Sequence, residues 1–380
     1  MILNYLNKQQ LKVNLNKLIL IVLAHSSISG WRIELSKAEC ANRYKKNFDN
    51  LILKSLTLKC GSYLCTKLEV SALKLLPLWN LVAGLSNGMI QIWDTRTNQL
   101  KHIVVGAHES SVIQIKRLKD GNFATRSYDN VIKIWDSETF ELKYELVGHT
   151  DYVSHFKILS NGNIVTASFD KTIKIWNKFG KLKLTLIGHE KLITGLAISR
   201  DGDIVSSSQD NSIKIWDSRS GKLKLTLMNG KPAYNLAVLS NDDIVSSSGK
   251  KIKIWDSKTG ELKLTLNNTC CISKILRLYD DDIVTAACDN ILRVWNSKTG
   301  QLKFMLNDHL DRVEVLKLLP KGEIASGSWD KTVKIWDSES GVLKKTLIGH
   351  SGNITSLVAL CEGYIASGSS DKTIKIWRIW

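Results

Sequence analysis

Tryptophan recurs along this chain at near-constant spacing, as Trp93, Trp135, Trp176, Trp216, Trp255, Trp295, Trp336 and Trp377. The gaps are 42, 41, 40, 39, 40, 41 and 41 residues. Each Trp follows a β-branched residue, and all but the last precede Asp or Asn, as in Ile134-Trp135-Asp136. A period near 40 means that one supersecondary unit is repeated, and no single unit of that size buries both of its faces. The repeats therefore overrule the two or three separate domains that 380 residues would suggest. No apolar run approaches the ~20 residues that span a bilayer.

On these motifs the chain resembles the WD40-repeat family. The resemblance implies an all-β fold, a closed β-propeller of four-stranded blades. It covers residues 51–380 and leaves 1–50 as an N-terminal extension of uncertain structure. Eight repeats imply eight blades. The alternative is seven, with the degenerate first repeat outside the ring, but Trp93-Asp94 and its flanks are intact. The eighth repeat ends three residues after Trp377, so its blade needs a fourth strand. Leu53-Lys54-Ser55-Leu56-Thr57-Leu58 matches the fourth-strand pattern of Lys183-Leu184-Thr185-Leu186 and is expected to close the ring.

Residues 149–187 show how one repeat reads. Val153, Phe156 and Ile158 are the apolar side of a first strand, and the three-residue step from Val153 to Phe156 predicts a bulge. Asn161-Gly162-Asn163 is a turn signal. Ile164–Ser168 is a short strand of small and β-branched residues, suited to a position covered on both faces. Ile173–Trp176 is the third strand. Leu182–Leu186 alternates Leu with polar residues, as an outermost strand does, and its lysine discourages edge pairing.

Five repeats carry one polar constellation at identical spacing: His108, Asp129, Trp135; His149, Asp170, Trp176; His189, Asp210, Trp216; His309, Asp330, Trp336; and His350, Asp371, Trp377. Ser127, Ser168, Ser208, Ser328 and Ser369 each stand two residues before the Asp. The resemblance implies a structural tetrad in which Asp accepts from His and a strand hydroxyl links His to the indole N–H. Five copies argue against a catalytic triad, since an enzyme needs one site. Three repeats depart. The first has Thr66 and Asn87 for His and Asp, the fifth has Asn229 and lacks the Asp, and the sixth has Asn268 but keeps Asp289. The sector 229–300 is therefore expected to be the softest part of the ring beyond its closure.

The net charge of +17 raises nucleic acid as a partner. Much of the lysine, however, sits within the repeat and would be spread around the ring, including Lys133, Lys174, Lys214, Lys253, Arg293, Lys334 and Lys375. A DNA-binding surface gathers charge on one face, so nucleic acid is disfavoured. The seven cysteines are odd in number and do not recur with the repeat, which reads as reduced thiols and an intracellular protein, cytoplasmic or nuclear. Leu18–Ala24 after Lys8, Lys12 and Lys17 is a marginal signal-like run, and secretion is the minority reading.

In this family three positions per blade commonly touch ligands at one face of the ring. Carried over, they hold Tyr128, Tyr152, Phe169, Tyr234, Arg312, Glu314 and Trp329, the expected partner-binding residues. Aromatics with an Arg are what an interface core uses. Arg126 replaces the Ala, Ser or Gly of the other tetrad-bearing repeats and points either into the channel or between blades. The chain reads as a non-catalytic scaffold for a protein or peptide, a monomeric propeller within a larger complex, with no metal and no cofactor. The alternative is a phosphopeptide- or degron-recognition subunit of a ubiquitin ligase. Arg312 is the only arginine at the carried-over positions, Glu314 would repel phosphate, and no F-box pattern is present. The chain carries no P-loop, HExxH or paired CxxC, so an enzyme is disfavoured.

Overall fold

The structure is a computed structural model that describes residues 56–58 and 68–380. The expectations for residues 1–50, Leu53–Ser55, Thr66, Cys40, Cys60 and Cys65 lie outside the described residues. The rest forms eight four-stranded antiparallel sheets arranged as the blades of a propeller. Blade 1 spans residues 70–104, blade 2 112–146, blade 3 153–186, blade 4 193–228, blade 5 235–267, blade 6 272–306, blade 7 313–347, and blade 8 354–378 plus 56–58. The seven-blade alternative is excluded, because blade 1 is complete.

Blade 3 has the strands its sequence predicts: Val153–Ile158, Ile164–Ser168, Ile173–Trp176 and Leu182–Leu186. The pairing register shifts between Val153 and His155, which is the expected bulge. The second strand is wholly buried, because neighbouring blades cover both of its faces. The fourth is mostly exposed and buries Leu186 alone. Gly148, Gly188 and Gly349 precede the tetrad histidines at φ of 154 to 156°. A Cβ on Gly188 would meet the Trp216 ring at 3.0 Å, so the indole packs closely over this turn.

Ring closure is as expected over the described residues. Leu56, Thr57 and Leu58 pair antiparallel with Ile376, Lys375 and Ile374 of the last strand. Beneath this seam, Ile374 and Ile376 of blade 8 share an apolar core with Leu73, Leu81 and Trp93 of blade 1.

The blades are stitched together near the axis. Ser71 Oγ donates to Val112 O at 2.6 Å, Ser154 Oγ to Ile193 O at 2.8 Å, and Thr194 Oγ1 to Ala233 O at 2.5 Å, each reaching the next blade. Thr355 Oγ1 donates to Val70 O across the closure. The second-strand residue beside each junction is small. A Cβ on Gly84 would lie 2.6 Å from Val112, and one on Gly327 2.5 Å from Ile354. Blade 2 solves the problem differently. It has Ile113 where blades 1, 3, 4, 6 and 8 have Ser or Thr, and Arg126 where all the other blades have a small residue. The Arg126 Nη1 donates to Val153 O at 2.8 Å and thereby takes over the hydroxyl's role. The innermost strands abut at the other seven junctions but stand apart between blades 2 and 3, where the guanidinium is wedged. Of the two directions open to Arg126, the one between blades is correct.

Blade 1 leaves its repeat indole without a partner. Ala83 occupies the place of the strand hydroxyl, and the buried Trp93 Nε1 has no acceptor. Ala83→Ser is therefore expected to stabilise the protein by about 1 kcal/mol, the ordinary worth of a buried hydrogen bond. Denaturant unfolding reads this directly, and a destabilised variant would show that the indole is otherwise satisfied.

Candidate functional site, the tetrads and the propeller rim

The five tetrads form as a chain of three links. In blade 3, His149 Nδ1 lies 2.6 Å from Asp170 Oδ2 and His149 Nε2 2.7 Å from Thr166 Oγ1, while Trp176 Nε1 donates to the same hydroxyl at 2.8 Å. With Nδ1–H facing the carboxylate, Nε2 is the acceptor. The hydroxyl therefore turns its own proton to Nε2 and keeps a lone pair for the indole. The geometry repeats around His108, His189, His309 and His350.

The linking hydroxyl corrects the sequence reading. It belongs to Thr125, Thr166, Ser206, Ser326 and Ser367, two residues before the serines singled out earlier. Trp176 pairs across the sheet with Ile164, and its Nε1 reaches Thr166, the next residue on that face. Ser168 sits too near the turn. It donates to Asp151 O at 2.9 Å and accepts from Asp170 N at 3.0 Å, so it holds the turn rather than the ring.

The departing blades use substitutes. In blade 5, Ser246 Oγ bonds Asn229 Oδ1 at 3.3 Å and accepts from Trp255 Nε1 at 3.0 Å. In blade 6 the Arg293 guanidinium, on the strand that carries lysine in most repeats, takes over the Asp that a histidine would hold. It donates to Asp289 at 2.7 Å and to Thr269 Oγ1 at 2.7 Å. Blade 6 also holds a disulfide between Cys270 and Cys288, with Cα atoms 5.7 Å apart. This corrects the expectation of reduced thiols. The two cysteines flank one turn pair, with Cys288 N donating to Cys271 O, and spacing in the chain does not reveal that approach. Cys271 is free and exposed.

Burial works against the tetrad carboxylates, but hydrogen bonds win. For Asp170, burial raises the pKa, while His149 and the Thr172 hydroxyl and N–H together hold it well below the usual 3.8. Asp210 is held at about 2 by Ser212 and His189 against the same burial. His189 is pushed below 6.5 by burial, with Asp210 opposing.

The predicted partner residues fall into three groups on one rim. In six blades the backbone N–H before the Asp position donates to the carbonyl that precedes strand one, as Phe169 N to Tyr152 O and Trp329 N to Arg312 O, both at 2.9 Å. That bond places these side chains equivalently around the ring. Tyr128, Tyr152 and Phe169 pile together across blades 2 and 3, with ring centroids 5.3 Å and 5.0 Å apart. The Tyr152 hydroxyl accepts from Arg126 at 2.6 Å, so the junction wedge also holds this ring. On blade 7, Arg312 lies 5.2 Å above the Trp329 ring and pairs with Glu314 at 3.2 Å. Lys274 joins Glu314 from blade 6 at 3.3 Å, a partner that reading the positions singly missed. Tyr234 stands alone on blade 5. Tyr128, Tyr234 and Trp329 remain 57%, 54% and 39% exposed.

A ring of eight repeated sheets, five of them locked by His–hydroxyl–Trp chains, defines a repeat β-propeller. The family model described as WD domain, G-beta repeat matches residues 99–136, 140–177, 180–217, 300–337 and 341–378, and the chain belongs to this WD40-repeat family. The five matches end on the five blades with complete tetrads. No curated protein matches the chain at a significant level. Among solved structures, the computationally designed Ika8 protein is similar at 28% identity and a TM-score of 0.74, covering 82% of this chain and 97% of the designed one. Among the described residues no helix is long and apolar enough to cross a membrane.

Two outcomes follow from the tetrads. Trp176→Ala is expected to cost about 3–5 kcal/mol in chemical unfolding, as removal of a buried Trp does, and a neutral result would contradict its burial. The pH profile has a definite sign. The unfolded chain binds protons near 6.5 at His189 and near 3.8 at the aspartates, where the folded ring still resists them. Stability should decline from about pH 6.5 and fall steeply below about pH 4, with part of the steep limb absent in Asp170→Asn. Unfolding curves that stay level between about pH 5 and pH 2 would rule this out.

Proposed function

We propose that this protein is a non-catalytic scaffold that holds a protein or peptide partner on the rim carrying Tyr128, Tyr152, Phe169 and Trp329. The observation that supports it is the three-ring pile across blades 2 and 3. Its Tyr128 side faces solvent, and its base is pinned by Arg126. Pre-ordered aromatic side chains lose little entropy on docking, so burying them yields affinity efficiently. Trp329 under Arg312 gives a second anchor on the far side of the ring. A peptide long enough to bridge the two would cross the mouth of the channel.

Recognition of a phosphorylated degron by this rim is the weaker reading. Arg312 is already paired with Glu314, and Glu314 is shared with Lys274. Phosphate would have to displace a carboxylate from both cations.

Tyr128→Ala/Phe169→Ala/Trp329→Ala tests the scaffold reading. Tyr152 is left intact because it is hydrogen-bonded into the junction. Pull-down from the source cell with the wild-type propeller should retain a partner that the triple variant loses, while the melting temperature moves by no more than about 2 °C. A large drop in melting temperature would mean that these rings pack the fold instead.

A further inference from the structure

Four lysines occupy one register on the innermost strands. Lys74 pairs with Val82, Lys116 with Ala124, Lys157 with Val165 and Lys317 with Ala325, the same rung of the first hairpin in blades 1, 2, 3 and 7. They therefore stand at one height on one arc of the channel wall. On blades 4, 5, 6 and 8 the same rung holds Ala197, Ala237, Leu276 and Val358. All four lysines are half-buried. On the outer strands, lysines such as Lys143, Lys224, Lys263 and Lys344 are paired with carboxylates. Among the described residues, none of the four channel lysines has a carboxylate within ion-pair distance.

What they face instead is positive charge. Burial, then Lys317 and Arg117, lower the Lys74 pKa. Burial, then Lys157, Arg126 and Lys74, lower that of Lys116 much further. Lys116 Nζ turns to Phe156 O on the next blade. His155 lies among them with its Nδ1 buried and unpartnered. Burial and the charges of Arg126, Lys157, Lys116 and Lys274 push it down to about 3. Lys274 is on blade 6, across the axis, so these groups share one space. Like charges gathered in a partly desolvated space work against folding, and blades 4, 5, 6 and 8 form the same rung with an uncharged residue.

We propose that this arc of the channel binds a compact, multiply phosphorylated small molecule, with Lys74, Lys116, Lys157 and Lys317 as the phosphate contacts. Each phosphate carries close to two negative charges and three acceptor oxygens, matching ammonium groups that each offer three donors. All four lysines sit one residue from the end of their innermost strands. The site is separate from the rim aromatics.

Inorganic tripolyphosphate is the probe, titrated by calorimetry into the full chain at about 0.15 M salt, where weak surface attraction is screened. Binding of one equivalent is expected, with a raised melting temperature and movement of the His155 ring resonances. Lys74→Met/Lys157→Met keeps the side-chain bulk and removes two charges. It should weaken binding by at least about tenfold and leave the fold as stable or more so. Lys74→Arg/Lys157→Arg should restore binding. The outer-strand control Lys181→Met/Lys183→Met and the rim variant Tyr128→Ala/Phe169→Ala/Trp329→Ala should both bind as wild type. Citrate distinguishes phosphate chemistry from charge alone, and equal affinity for it would overturn the phosphate assignment. Absence of binding up to about 1 mM, several equivalents bound, or undiminished binding by the methionine variant would overturn the site.

Discussion

No blade of this protein has a core of its own. Each of the eight apolar clusters lies between two blades, and each includes the repeat Trp of the blade that follows. Ile132, Ile134 and Leu146 of blade 2 meet Trp176 of blade 3, and Leu292, Val294 and Leu306 of blade 6 meet Trp336 of blade 7. A sheet covered on one side only would leave half of its buried surface in water, so the array is stable when every junction is filled. The cluster between blades 8 and 1 is therefore as necessary as any other, and the strand at 56–58 completes the sheet that carries it. The tetrad answers the problem this packing creates. An indole driven into a junction carries a polar N–H with it, and the hydroxyl and histidine satisfy that N–H without water.

Periodic demands such as these were readable in the chain. Strand limits in blade 3, the bulge after Val153 and the His–Asp partnership follow from alternation and fixed spacing, which are local properties. What escaped was set by neighbours across strands or blades. Thr166 and Ser168 lie on one strand and differ only in which reaches the indole, and that depends on the register with Trp176. Arg293 takes over the histidine's carboxylate partner while standing 25 residues from Asn268 in the chain. Cys270 and Cys288 looked unrelated because 18 residues separate them, yet they sit on turns that the sheet folds together. Arg126 was visible as an anomaly, but only the gap between blades 2 and 3 shows what it supports.

The charge was only partly legible for a related reason. Lysines counted along the sequence are spread through every repeat. Folding separates them into two populations, an outer set facing carboxylates and an inner set facing one another. The difference does not lie in the residue type or in the repeat position taken alone. It arises because the innermost strands converge on an axis, which brings equivalent positions of different blades close together, while the outer strands diverge and leave theirs apart.

Repetition also supplies an internal control. Eight blades meet nearly the same geometric demand, so a residue present in all of them serves that shared demand, and one present in a few answers to something local. Ile92, Ile134, Ile175 and their equivalents belong to the first class, as do the tryptophans. The aromatic pile of blades 2 and 3, the Trp329–Arg312 pair and the lysine arc belong to the second. Arg126 connects the two classes. It performs a junction task that serine or threonine performs in other blades, with a longer side chain than that task needs. The extra length is what carries its guanidinium to the Tyr152 hydroxyl, and it ties the spacing of two blades to the position of a ring on the rim.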